Sequence, residues 1–141
     1  MPAFEMRRRV LERHPRGRVV MVDTIAHLRA EDAGDVVVCG SHGGLSSGEY
    51  AARVPVAAVF FNDAAGGKEN AGRASLPYLD ARGIAAGTVA QDTAMIGDGF
   101  ETFESGVISA VNERARAAGF AVGRPLRDAI RSVLGGRLNA Q

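Results

Sequence analysis

The chain has 141 residues, 46% apolar and 23% charged, with a formal net charge of +1. That is the composition of one ordinary globular domain, long enough to bury a core. The near-neutral balance speaks against a phosphate-neutralising nucleic-acid surface, and no run approaches the roughly 18 apolar residues of a membrane span. Neither nucleic acid nor a membrane is therefore an expected partner. One cysteine cannot form an internal disulfide, and the first residues lack the apolar core of a secretory signal, so the expected compartment is the cytoplasm.

In chain order, "PAFEMRRRVLERHP" spaces Phe4, Val10 and Leu11 at helical intervals and predicts a helix that Pro15 stops. "RVVMVD" (18–23), "DVVVCG" (35–40), "VAAVFFND" (56–63) and "IAAGTVAQD" (84–92) are short apolar runs without clean alternation, the mark of strands covered on both faces. Between them "SSGEYAARV" predicts a helix with Ser46 or Ser47 as its cap, and "AGRASLPYLDARG" predicts one ending at Gly83 with Pro77 in its first turn. "ETFESGVISAVNERARAAG" (101–119) predicts the longest helix, with Phe103, Val107, Ile108, Val111 and Ala115 on one stripe and Gly119 closing it. "PLRDAIRSVLGG" predicts a last helix. Alternating strands and helices give an α/β fold: a single-domain three-layer sandwich over 1–141, on a mostly parallel sheet of four or more strands. Residues 135–141 read as a tail that frays or docks on a partner.

Ligands of open α/β sheets bind beyond the carboxyl ends of the strands. Those ends read Asp23-Thr24, Ser41-His42-Gly43-Gly44, Asn62-Asp63 and Gln91-Asp92-Thr93, whereas the opposite ends carry little chemistry. Part of that polarity serves caps and turns. In "GSHGG" the glycines let the backbone turn tightly and approach a ligand, and a following helix would offer free N–H groups to a phosphate or carboxylate. His42, with an ordinary pKa near neutrality, suits proton transfer; its plainer role is to hydrogen-bond the loop. Asp63 follows two phenylalanines, a setting that suits a general acid or base, or else a turn cap. Lys68, the sole lysine of the chain, sits in a glycine loop where it could neutralise an anion or simply be solvated. Cys39 lies inside an apolar strand and reads as buried and inert.

Several patterns fail on context. "GLSSG" matches a nucleophile-elbow pattern, but loop residues separate it from the strand. "GGKE" lacks the first glycine and the Ser/Thr of a phosphate loop, and "GDGFET" lacks the third glycine of a dinucleotide fingerprint. His14, His27 and His42 are too far apart for a zinc pattern, so neither cofactor nor metal is expected. Convergence of Asp23, His42, Asp63 and Asp92 on a divalent ion stays open at this point.

The stretch from Cys39 to Ala94 resembles the core of methylglyoxal synthase-like domains. The shared pieces are Gly43-Gly44 opening a helix, the aromatic-aromatic-x-Asp run Phe60-Phe61-Asn62-Asp63, and the Gly83-Ile84 strand leading to Thr88 and Thr93. The likeness covers about residues 38–94 and implies a small anion-binding α/β scaffold. That family places its aspartate directly after the two glycines, where this chain has Leu45, so the likeness does not extend to synthase chemistry.

These readings combine into an expected enzyme acting on a small carboxylate- or phosphate-bearing metabolite. Ser41, Gly43, Gly44, Asn62, Lys68, Thr88, Asp92 and Thr93 would hold the substrate. His42 and Asp63 would move protons in an isomerisation, elimination or hydrolysis at a carbonyl or amide. A non-catalytic ligand-binding or regulatory domain is the alternative, as is a small subunit of a larger complex; abundant alanine and valine suit a homo-oligomer or a partner subunit.

Overall fold

The computed structural model describes residues 7–66 and 68–135, with the side chains of Lys68 and Glu69 outside that description. The expected tail falls almost wholly outside the described residues. Six strands form one sheet: β1 (Arg8–His14), β2 (Gly17–Val22), β3 (Val36–His42), β4 (Ala58–Asn62), β5 (Ala85–Val89) and β6 (Ile108–Val111). Their order across the sheet follows the chain from β1 to β6. β2, β3, β4 and β5 run parallel, while β1 and β6 pair antiparallel at the two edges. The helices are α1 (Leu45–Ala51), α2 (Ser75–Asp80), α3 (Gly99–Glu104), α4 (Glu113–Ala118) and α5 (Leu126–Gly135).

Successive residues of a strand point to opposite faces, and here they supply two separate apolar clusters. Val20, Val22, Val37, Cys39, Val59 and Phe61 pack with Ile25, Ala51 of α1 and Leu76 and Leu79 of α2. Val19, Met21, Val38 and Phe60 pack with Phe103 of α3, Ala115 of α4 and Leu126, Ile130 and Leu134 of α5. The rings of Phe60 and Phe120 meet at 4.8 Å between centroids, tilted by 59°. Ile25, α1 and α2 belong to the β2–β3, β3–β4 and β4–β5 connections, so all three parallel crossovers contribute to one cluster. With strands in chain order, the sheet has no point where that order reverses. No crevice is opened by topology, and any site at the carboxyl edge must be built by the loops themselves.

Two expected helices are corrected. The segment expected as an amino-terminal helix forms β1, which returns through Pro15-Arg16 into β2 with His14 opposite Gly17. Val10 packs against one apolar cluster and its neighbour Leu11 against the other, which a strand permits and a one-faced helix does not. The polar residues of this edge strand are paired: Arg8 with the buried Asp32, and Glu12 with Arg131, while His14 Nε2 stands 2.7 Å from a Glu12 oxygen. The expected helix over 101–119 is three elements, α3, β6 and α4. α3 ends at Glu104, and Gly106 lets the chain pass so close to the Thr102 carbonyl and Val89 that a side chain there would collide. Asn112 restarts the helix as its cap, accepting from the Ala115 amide at 2.9 Å, while its amide group donates to the carbonyls of Leu76 and Ile84. Gly119 closes α4 with a φ of 113°, as its sequence position predicts.

Candidate functional site

The carboxyl ends of the parallel strands differ sharply in how far their polar groups are already occupied. At the end of β2, Asp23 accepts from Arg7 Nε at 2.8 Å, from Arg7 Nη2 at 3.1 Å and from the Gly99 amide at 2.9 Å. Burial alone would raise the Asp23 pKa, but these hydrogen bonds and the adjacent guanidinium outweigh it and hold the carboxyl below its ordinary value. Arg7 also reaches Asp98 at 2.9 Å, and Asp98 caps α3 through the Glu101 amide. The Gly97–Gly99 segment lies directly on Gly40, where any Cβ would collide with Gly97, and the Gly97 amide donates to the Gly40 carbonyl at 2.7 Å. Over β2 and β3 the edge is covered by its own ion pairs and backbone.

At the end of β3, Ser41 Oγ accepts from the Ile25 amide at 3.0 Å and stands 3.5 Å from Thr24 Oγ1. The glycine loop serves the chain itself. The Gly43 amide donates to the Asn62 carbonyl at 2.9 Å, and a Cβ on Gly43 would strike the Gly72 carbonyl. The Gly44 amide donates to His42 Nδ1 at 3.0 Å. That bond uses the Nδ1 lone pair, so neutral His42 carries its proton on Nε2 and presents a donor. His42 itself is exposed. α1 follows with Gly44 as its cap residue and no side-chain cap, in place of the expected Ser46 or Ser47.

At the end of β4, Asn62 is fully buried. Its Nδ2 donates to the Ala94 carbonyl and its Oδ1 accepts from the Ala64 amide, both at 2.8 Å. Asp63, 4% exposed, accepts on Oδ1 from the amides of Ala65 and Gln91 at 2.9 and 3.1 Å, and faces Arg73 Nη2 with Oδ2 at 3.3 Å. These bonds hold Ala64 and Ala65 at φ of 51° and 62°, a left-handed conformation costing an L-residue roughly 1–2 kcal/mol. Thr88 is fully buried in β5 with its hydroxyl 2.8 Å from Ser109 Oγ. Thr93 donates to the Ala90 carbonyl at 2.6 Å and accepts from the Val107 amide at 3.1 Å. Asp92 and Gln91 are exposed.

Two depressions adjoin here. One, of about 400 Å³, is walled by His42, Gly44, Leu45, Ala64, Gly72 and Ala74. The other, of about 290 Å³, is lined by Asp63, Ala65, Arg73, Ala90, Gln91 and Asp92. His42 pairs in register with Asn62, so Asp63 starts one residue beyond it, yet the two side chains line different depressions. The structure thus brings Asp63 and Asp92 together and turns Asn62, Thr88 and Thr93 inward to backbone or neighbouring hydroxyls. Lys68 opens the 3-10 segment Lys68–Arg73, but its side chain lies outside the described residues. Among the described residues no three His, Cys, Asp or Glu side chains are placed to share a metal ion.

Arg73 is the functional candidate that residue patterns missed. Its Nε is buried and has no hydrogen-bond partner among the described residues. Nothing in its sequence neighbourhood separates it from the other arginines; only the loop that folds it back onto Asp63 does. Cys39 is fully buried, and burial pushes its thiol up to about 12. A further depression, of about 540 Å³, lies at the opposite edge between α1 and α2 and includes Arg53, Tyr78, Arg82 and Ile84. There Arg53 stacks on Tyr50 and Arg82 on Tyr78, and Arg82 donates to the Tyr78 carbonyl at 2.9 Å. Those arginines sit beside helix carboxyl ends, where cations complement the backbone dipole.

No family model, curated protein or solved structure matches the chain. The likeness to methylglyoxal synthase-like domains therefore rests on its residues alone. Among the described residues no helix is long and apolar enough to cross a membrane.

Proposed function

We propose that this chain binds a small carboxylate- or phosphate-bearing metabolite at the carboxyl edge of its sheet, across the two adjoining depressions. Arg73 supplies the charge and His42 Nε2–H a neutral donor. One observation carries the reading: the Arg73 guanidinium, its side chain 35% exposed, lines an open depression at this edge. A guanidinium presents several donors in a fixed fork that suits a carboxylate or phosphate, and among the described residues Asp63 engages only Nη2. Strained backbone at Ala64 and Ala65, in the same loop, is typical of ligand sites. The proposal extends to a three-layer, synthase-like scaffold, to a cytoplasmic setting and to self-association or assembly with a larger enzyme.

A catalytic version makes His42 the proton donor to a substrate carbonyl and Asp63 the acceptor; the register that sets Asp63 one residue beyond the partner of His42 favours it. The occupied oxygens of Asp63 favour binding without proton transfer. A thermal-shift titration with acetate and inorganic phosphate tests the common claim, since a ligand of the native state raises Tm by mass action. Either anion should raise Tm of the wild type, and Arg73→Met should remove that increment whatever its own Tm. Equal increments in both proteins would overturn the assignment.

A further inference from the structure

The two adjoining depressions differ in chemistry. Among the described residues their carboxylates and guanidinium, Asp63, Asp92 and Arg73, all line the smaller one. The larger is walled by Leu45, Ala64, Ala71 and Ala74 over the backbone of Gly44 and Gly72, with His42 as its sole polar side chain among the described residues. Backbone groups of that wall are engaged within the chain. The amides of Gly44 and Ala64 donate to His42 Nδ1 and Asn62 Oδ1, the Ala74 amide donates to the Ala71 carbonyl, and the Gly44 carbonyl accepts from the Gly48 amide. A sugar or phosphate seated there would give up water and find little beyond His42 in exchange. A hydrocarbon gives up no hydrogen bonds, and leaving water favours it. Leu45, at the start of α1, stands 49% exposed and offers apolar surface for such a group to cover. At about 400 Å³ the space lies within the range of ordinary ligand pockets. Gly72 and Ala74 flank Arg73 in the chain, so the apolar wall runs directly into the residue that carries the cation of the charged depression.

We propose that the larger depression takes an uncharged aliphatic group, so that the metabolite is a small branched aliphatic acid and not a sugar phosphate. This deepens the anion-binding reading above and rests on it for the charged end of the ligand alone. The hydrocarbon lies against Leu45, Ala71 and Ala74, with the acid group toward the neighbouring charged depression.

Isothermal titration of the wild type and of Leu45→Ser with acetate, isovalerate and the neutral isovaleramide tests the assignment. Leu45 is half exposed, and the substitution removes no side-chain hydrogen bond. A fully buried methylene is worth about fourfold in affinity, so a partly covered isobutyl group should make isovalerate bind the wild type at least about tenfold more tightly than acetate. In Leu45→Ser that advantage should fall to less than about threefold; an advantage the substitution leaves unchanged would overturn the assignment. If acetate binds the wild type as tightly as isovalerate, the aliphatic assignment fails and the anion reading stands. If isovaleramide binds as tightly as isovalerate and both exceed acetate, the aliphatic assignment stands and the anion reading fails. If none of the three binds, both fail.

Discussion

Asn62 separates a structural reading of the sheet edge from a ligand-contact one. Its side chain is fully buried, ties the Ala94 carbonyl and the Ala64 amide to the end of β4, and leaves no polar atom for a ligand. Asn62→Ala strips both partners at once. The Ala94 carbonyl bond is buried and should cost near the upper part of the roughly 1–3 kcal/mol for an unmade hydrogen bond; the Ala64 amide is only part-buried and should cost near the lower part. The sum is about 2–4 kcal/mol, a large share of the 5–15 kcal/mol typical of a whole domain. Urea unfolding should therefore show a lower midpoint with an unchanged slope, because the native surface is nearly the same. Asn62→Asp sets a carboxylate oxygen against the Ala94 carbonyl at a fully buried position, so it should be at least as costly as Asn62→Ala. A loss under about 0.5 kcal/mol in Asn62→Ala would refute the reasoning, since water would then replace both bonds at no cost.

Asp23 makes a pH prediction. Its folded pKa is held below the ordinary value near 3.8, so its stabilisation is fully present above that value and is lost as pH falls through the lower folded one. The Tm gap between the wild type and Asp23→Asn should be widest at neutral pH and should close below about pH 4; a gap constant down to strongly acid pH would show that the charge on Asp23 contributes nothing. Cys39 makes a reactivity prediction. With its thiol buried and pushed up to about 12, it should resist a disulfide reagent at pH 8 in the native protein and react fully in guanidinium. Stoichiometric reaction without denaturant would contradict the burial.

The parallel core was legible because β2 to β5 are short apolar runs with glycine or proline near their boundaries. β1 was not: Val10 and Leu11 fit helical spacing as well as a strand, and what decides is the return through Pro15-Arg16 onto β2. The 101–119 segment misled because its apolar stripe has helical spacing, while Ser105-Gly106 and the cap Asn112 cut it into three. Residue types marked the sheet edge at which these polar groups lie, but not what the groups bind. Ser41, Asn62, Thr88 and Thr93 all find partners within the chain, and such partners come from tertiary folding, which local sequence does not encode. Arg73 escaped notice for the same reason, since its place beside Asp63 depends on the folded loop between them.

The most direct test of the central claim is amide chemical-shift mapping of the wild type during titration with acetate and inorganic phosphate. The account predicts saturable shifts at Ala65, Arg73, Gln91 and Asp92, with His42 and Gly44 following, and none around Tyr78 to Ile84. Shifts confined to the Arg53 and Arg82 depression at the opposite edge would contradict it.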